Sequence, residues 1–235
     1  ANGPAGVASP GVDTPGVASV GTASASAASA SAASVGVRGL ILAGGSSSRM
    51  HRDKAALRYG GKSQLDRVFE LAQRHLAEVF VSVRADQIAE PTRAQHPMIL
   101  DSIEGTGPIV GIRSALAEFP GDAWLVIACD LPFLSDATLS RLLRERDTSV
   151  LATAYRSAHD GLPEPLCAIW EPAAAAALAD YQAGDGTCPR KFLIRHPARL
   201  LEPDDSRALD NVNTPEEYTE ALTTLDHSAQ GPTCN

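Results

Sequence analysis

The chain has 235 residues, 44% of them hydrophobic, and a formal net charge of −8 at pH 7. That acidity argues against general nucleic-acid binding, which needs a basic face, and no run approaches the roughly 18 uninterrupted apolar residues of a membrane span. The first 36 residues hold 11 Ala, 7 Ser, 6 Gly, 5 Val and 3 Pro with Asp13 as their one charge. So little apolar surface cannot offset the entropy of ordering, and residues 1–36 are expected to form a disordered tail. One domain is expected over 37–226 and a disordered end over 227–235.

Within the tail, Pro10-Gly11-Val12 recurs as Pro15-Gly16-Val17 before an Ala/Ser run, a composition that reads as a flexible linker. It lacks the basic start and Leu-like stretch of an export signal. Cys129, Cys167, Cys188 and Cys234 form no C-x-x-C pair and read as reduced, buried or incidental thiols of a cytoplasmic protein. The histidines form no H-E-x-x-H or similar cluster.

From residue 37 onward apolar β-branched runs alternate with helical patterns. The first strand is expected over 37–42. Ser63 is placed to cap a helix running to about 76, with Asp66 in capping-box spacing. Strands follow over 78–83 and 98–100, then a helix after Gly111. Residues 124–128 are unbroken apolar sequence, the mark of a strand buried on both faces. Ser135 caps a helix to about 146. Strands over 150–154 and 166–170 precede an alanine-rich helix from Pro172. Thr214-Pro-Glu-Glu217 supplies an N-cap, a Pro at the first helical position and an acid at the third. The alternation implies an α/β fold with a mostly parallel, Rossmann-like sheet between helix layers, an α/β/α sandwich. In such sheets ligands bind beyond the carboxyl ends of the strands, which directs attention to the loops after Leu42, Leu100 and Ala128.

The first of these loops carries Gly44 and Gly45, which let the backbone approach a ligand and turn successive N–H groups toward anionic oxygens. Arg49 and Lys54 add positive charge suited to a polyphosphate. Gly61-Lys62-Ser63 is not a phosphate loop of the G-x-x-x-x-G-K-S type, because position 56 is Ala. Taken alone, the Gly-Gly pair fits a plain tight turn equally well. Asp101 opens the second loop, where it accepts donors from a base edge, helps to hold a metal, or closes an Asx turn. In the third, Asp130 leaves an apolar strand; it needs a partner there, either an Arg or a hard cation such as Mg²⁺ completed by phosphates.

Read together, Leu42-Ala-Gly-Gly-Ser-x-x-Arg-Met-x-x-Asp-Lys54, Asp101 with Gly107-Pro108-Ile-x-Gly111, Ala128-Cys-Asp130-x-Pro-Phe, Glu164-Pro-Leu-Cys-Ala168 and Asn211-Val-Asn213-Thr-Pro-Glu resemble the molybdenum cofactor guanylyltransferases, over the whole chain from Val37 to about Leu225. The resemblance implies a nucleotide-diphospho-sugar transferase type of fold. It also implies transfer of GMP from GTP to molybdenum-molybdopterin, with release of pyrophosphate. Leu42, Ala43, Gly44, Lys54 and Asp101 would then contact GTP, and Asp130 would bind Mg²⁺ as well as GTP. Lys54, Asp130 and Arg49 would stabilise the developing charge. Ser82 stands where some members have Asn at a nucleotide contact, and His51 where the family usually has Gly. Asn211 and Asn213 are open between a place near pterin or metal and capping of the last helix. Expected partners are the two substrates, with cofactor-biosynthesis proteins or molybdoenzyme chaperones downstream. The competing readings are a CTP-using relative such as a molybdopterin cytidylyltransferase, a transferase with another phosphorylated acceptor, and a non-catalytic nucleotide-binding scaffold.

Overall fold

The computed structural model describes residues 36–44 and 53–229. Residues 1–35 of the expected tail and the loop positions Gly45, Arg49 and His51 lie outside them. Among the described residues nine strands and six α-helices follow in chain order: β1 (Val37–Leu42), β2 (Arg58–Tyr59), β3 (Lys62–Ser63), α1 (Gln64–Gln73), β4 (Val79–Val83), β5 (Met98–Leu100), α2 (Pro108–Glu118), β6 (Ala123–Ala128), α3 (Asp136–Arg144), β7 (Ala152–Arg156), β8 (Pro163–Trp170), α4 (Ala174–Ala183), α5 (Pro189–Arg195), β9 (Ala198–Leu201) and α6 (Pro215–Ala229). The last helix continues past the domain edge expected at 226.

Seven strands form one sheet in the order β5-β4-β1-β6-β8-β7-β9, and β2 pairs with β3 in a small hairpin. β6, at the centre, is buried at every residue. Side chains alternate between the two faces. Ile41, Val81, Leu125 and Ile127 meet α1 and α3 on one side, while Leu40, Trp124 and Val126 meet α2, α4 and α5 on the other. The expected three-layer, mostly parallel arrangement is present. β8 alone runs antiparallel to its neighbours β6 and β7. The reason is local: β7 returns directly into β8 through a short turn closed by Ser157 N donating to Leu162 O at 2.8 Å, and a connection without a crossover helix reverses the strand.

Several boundaries moved from where the sequence placed them. α2 begins at Pro108 rather than after Gly111, since Gly107 at φ 80° turns the chain and Pro108 takes the first helical position. The strand expected over 150–154 lies at β7, and α5 and β9 have no sequence-derived counterpart. Caps behaved as read: Asp66 N donates to Ser63 Oγ at 3.0 Å, and Thr138 N donates to Ser135 Oγ at 3.3 Å. Glu217 N donates to Thr214 Oγ1 at 3.2 Å while its carboxylate accepts from Asn213 N and Thr214 N.

What matters for the site is register. Leu42 aligns with Ser82 of β4 and with Ala128 of β6, and Val83 aligns with Leu100 of β5. Four parallel strands therefore end level, and their following loops share one edge of the sheet.

Candidate active site

Along that edge lies a cleft of about 1010 Å³, lined by Leu42, Ala43, Gly44, Lys54, Ser82, Arg84, Asp101, Asp130 and Asn213 together with Gly107, Pro108 and Gly111. Every site residue expected from the sequence and described here faces this one space. Gly45 and Arg49 fall outside the described residues.

One group of side chains gathers where β1 and β6 end. Lys54 opens a short 3₁₀ turn whose cap, Asp53, accepts from Ala55 N at 3.1 Å. Its ammonium donates to Asp130 Oδ2 at 2.8 Å and to Asn213 Oδ1 at 2.6 Å, and Asn211 Nδ2 donates to Asp130 Oδ1 at 3.3 Å. The Val212 N–H bonded to Asp130 O at 3.1 Å holds the 211–213 segment against the β6 loop. The side chains of Lys54 and Asp130 are 18% and 17% exposed, so the pair is partly desolvated yet reachable from the cleft. Asp130 and Asn213 present hard oxygens to the same cationic centre, the donor chemistry that Mg²⁺ or Mn²⁺ takes. No cluster of three or more His, Cys, Asp or Glu capable of holding a metal occurs among the described residues. A cation here would complete its shell with substrate phosphates. Of the two readings open for the asparagines, the side chains of both engage the Lys54–Asp130 pair; Thr214 caps α6, and only the Asn213 backbone joins that cap.

A second group lies across the cleft. Ser82, at the end of β4 and itself buried, donates to Asp101 Oδ1 at 2.6 Å. Burial pushes the Asp101 carboxyl above the ordinary carboxylate range, opposed by the Ser82 hydroxyl and the Arg84 charge. Gly111, in the first turn of α2, packs directly on this pair: a Cβ there would stand 2.5 Å from Ser82 Oγ, 2.9 Å from Leu42 Cδ2 and 3.4 Å from Asp101 Oδ1. Only a residue without a side chain lets the first turn of α2 come this close. A helix start of this kind favours anions.

Sequence reasoning missed two arginines. Arg84 follows β4 directly, donates to Gly44 O and forks onto Asp86. It could have been found by applying the strand-end rule to β4 as to its neighbours. Arg93 is 1% exposed and ties Ala43 O to Asp53. Nothing in its irregular segment marks it, and a lone Arg between strands ordinarily reads as exposed. Burial pushes the Cys129 and Cys167 thiols up to about 12, which disfavours their reactive thiolate form. Among the described residues no helix is long and apolar enough to cross a membrane.

A profile of the MobA-like NTP transferase domain matches residues 39–200. The chain is 34% identical over 180 residues to the molybdenum cofactor biosynthesis bifunctional protein of Synechocystis sp., covering 77% of this chain and 52% of that protein, so it spans about half of that relative's length. Over 201 residues it is 34% identical to the molybdenum cofactor guanylyltransferase of Rhizobium leguminosarum bv. trifolii, covering 79% of this chain and 91% of the relative. Among solved structures, the molybdopterin-guanine dinucleotide biosynthesis protein A of Archaeoglobus fulgidus superposes with a TM-score of 0.69 at 24% identity, over 81% of this chain and 99% of that one. A Mycobacterium tuberculosis protein solved as a complex with manganese gives 0.59 at 20% identity, over 81% and 100%. At these identities the structures speak for the fold alone.

Proposed function

This chain belongs to the MobA-like NTP transferase family, and from that premise we propose that it transfers GMP from GTP to molybdenum-molybdopterin. A terminal phosphate of the pterin attacks the α-phosphorus, the bond to the β-phosphate breaks, and pyrophosphate leaves as molybdopterin guanine dinucleotide forms. The observation that carries this reading is the convergence of Lys54, Asp130 and Asn213 in one cleft with the Gly44 backbone and the start of α2.

Each residue has a task that its chemistry suits. The Lys54 ammonium offsets charge that grows on the transferred group and the leaving pyrophosphate. Asp130 and the Asn213 amide oxygen would hold Mg²⁺, which when bound supplies Lewis-acid neutralisation of phosphoryl oxygens. Asn211, bonded to the other Asp130 oxygen, orients the carboxylate. Across the cleft, Asp101, held by Ser82, offers an acceptor for the N–H donors that line the edge of guanine. The arrangement positions substrates and stabilises charge, so the reaction needs no nucleophilic side chain. The free, buried thiols Cys129 and Cys167 suit a reducing cytoplasm, where the product would pass to other cofactor-biosynthesis proteins or to molybdoenzyme chaperones.

Equilibrium binding of GTP, CTP and ATP, with and without Mg²⁺, tests the reading. Preference for GTP, strengthened by Mg²⁺, is the expected result. Preference for CTP would reassign the protein to cytidylyl transfer on the same fold, and failure to bind any of the three would leave a non-catalytic scaffold.

A further inference from the structure

We propose that Arg93 is a positioning residue for the nucleotide: one buried guanidinium fixes the exit of β1 at Ala43 against Asp53, and so sets the spacing between the Gly44 peptide and the Lys54 ammonium. The inference rests on the reading that this cleft binds GTP. Its geometry is that of a clamp. Arg93 Nε donates to Ala43 O at 3.2 Å and Nη2 donates to the same oxygen. The fork also takes both Asp53 oxygens, Nη1 to Oδ2 at 2.6 Å and Nη2 to Oδ1 at 3.0 Å, and Nη1 reaches Glu90. The anchoring segment is fixed in turn, since Arg93 N donates to Glu90 O at 3.0 Å and His96 N to Arg93 O at 3.0 Å.

Both ends of the clamp lead to the cleft. In a trans peptide the N–H of one residue lies opposite the C=O of the residue before it, so drawing the Ala43 carbonyl toward Arg93 turns the Gly44 N–H to the other side. Arg84 treats the next carbonyl, Gly44 O, in the same way. At the far end Asp53 caps the 3₁₀ turn that begins with Lys54. A guanidinium is needed because only its planar set of five N–H donors can satisfy a carbonyl and a bidentate carboxylate together. Its side chain is 1% exposed, whereas Asp53 is 36% and Glu90 is 40% exposed. The carboxylates can therefore rehydrate if the arginine is removed, and loss of the clamp is separable from loss of the fold.

The test titrates GTP with Mg²⁺ into the full chain and its Arg93→Lys, Arg93→Ala and Asp53→Asn variants, with thermal melts and amide hydrogen exchange on each. Arg93→Lys keeps the charge but not the fork. It is expected to melt within a few degrees of the parent yet bind GTP about tenfold or more weakly, on the scale that misplaced binding groups produce. Asp53→Asn keeps the cap on the Ala55 N–H and loses the charged partner, so an intermediate loss is expected. Exchange should rise at residues 43–44 and 54–56 and stay unchanged in β6. Parental GTP affinity and exchange in Arg93→Lys would overturn the proposal, as would exchange that rises equally in β6, which marks general destabilisation. Should Arg93→Ala fail to fold, the other two variants decide. A parent protein that binds no GTP refutes the functional reading alone, and the exchange pattern then still decides whether Arg93 clamps the two segments.

Discussion

Lys54 and Asp130 stand 76 positions apart in sequence and 2.8 Å apart in space. Each was legible on its own, Lys54 from the charge that follows a Gly-Gly loop and Asp130 as a carboxylate leaving an apolar strand. Their union was not, because pairing depends on how β1 and β6 align, which no local pattern encodes. The union has a measurable consequence. Two groups that share one task lose their effects together rather than independently. Lys54→Ala is expected to lower the rate of GMP transfer about 10²–10³-fold, the scale for removing one fixed donor to the transition state. Asp130→Asn is expected to abolish Mg²⁺-stimulated turnover while the variant still folds. The double variant should be little worse than Asp130→Asn alone. Measured kcat values that multiply across the two singles would show that the residues act separately.

Among the elements, α2 shows how packing overrules local signals. Its sequence placed a helix after Gly111, whereas the helix starts at Pro108 and uses Gly111 to lie against the ends of β1 and β4. Gly in a helix normally costs about 1 kcal/mol against Ala, so on propensity alone Gly111→Ala would stabilise. The contacts predict the reverse. A methyl group meets a buried Ser82 hydroxyl already bonded to Asp101 and a Leu42 methyl, and overpacking of this kind costs about 1–3 kcal/mol. Calorimetry should find the melting temperature of Gly111→Ala lower by roughly 2–10 °C, with weaker nucleotide binding; an unchanged value would mean that α2 can shift away from the sheet. Other elements were legible in proportion to their length. β6 announced itself by an unbroken apolar run, and α1, α3 and α6 by their caps. The seven residues of α5 and the four of β9 are too short to display a period.

For the molecule as a whole, the sheet's level strand ends bring polar groups together at the rim of an apolar core, where partial burial of charge opposes stability. Asp101 makes this measurable. Burial raises its carboxyl, and the Ser82 and Arg84 contacts only partly offset that. In the unfolded chain the group titrates near its ordinary value of 3.8. Between the two values the folded state therefore holds more protons than the unfolded state. The stability this group contributes is full below the ordinary value and is lost as pH rises through the folded one. Above the folded value the cleft carries an ionised, half-buried carboxylate at a net cost. Asp101→Asn can still accept from Ser82 and removes that cost, so it is expected to raise the melting temperature at pH 7 by up to about 3 °C, a figure kept small because solvent screens a partly exposed group. The advantage should shrink as pH falls toward 3.8, where the parent carboxyl takes up its proton. The same variant should bind GTP at least about tenfold less tightly, since a neutral amide replaces a charged acceptor. Melts of both proteins across that pH range, paired with GTP titrations, decide the matter. A variant less stable than the parent at pH 7 would make Asp101 a structural residue, whereas one that is more stable and binds poorly fits a carboxylate kept in the cleft for its ligand.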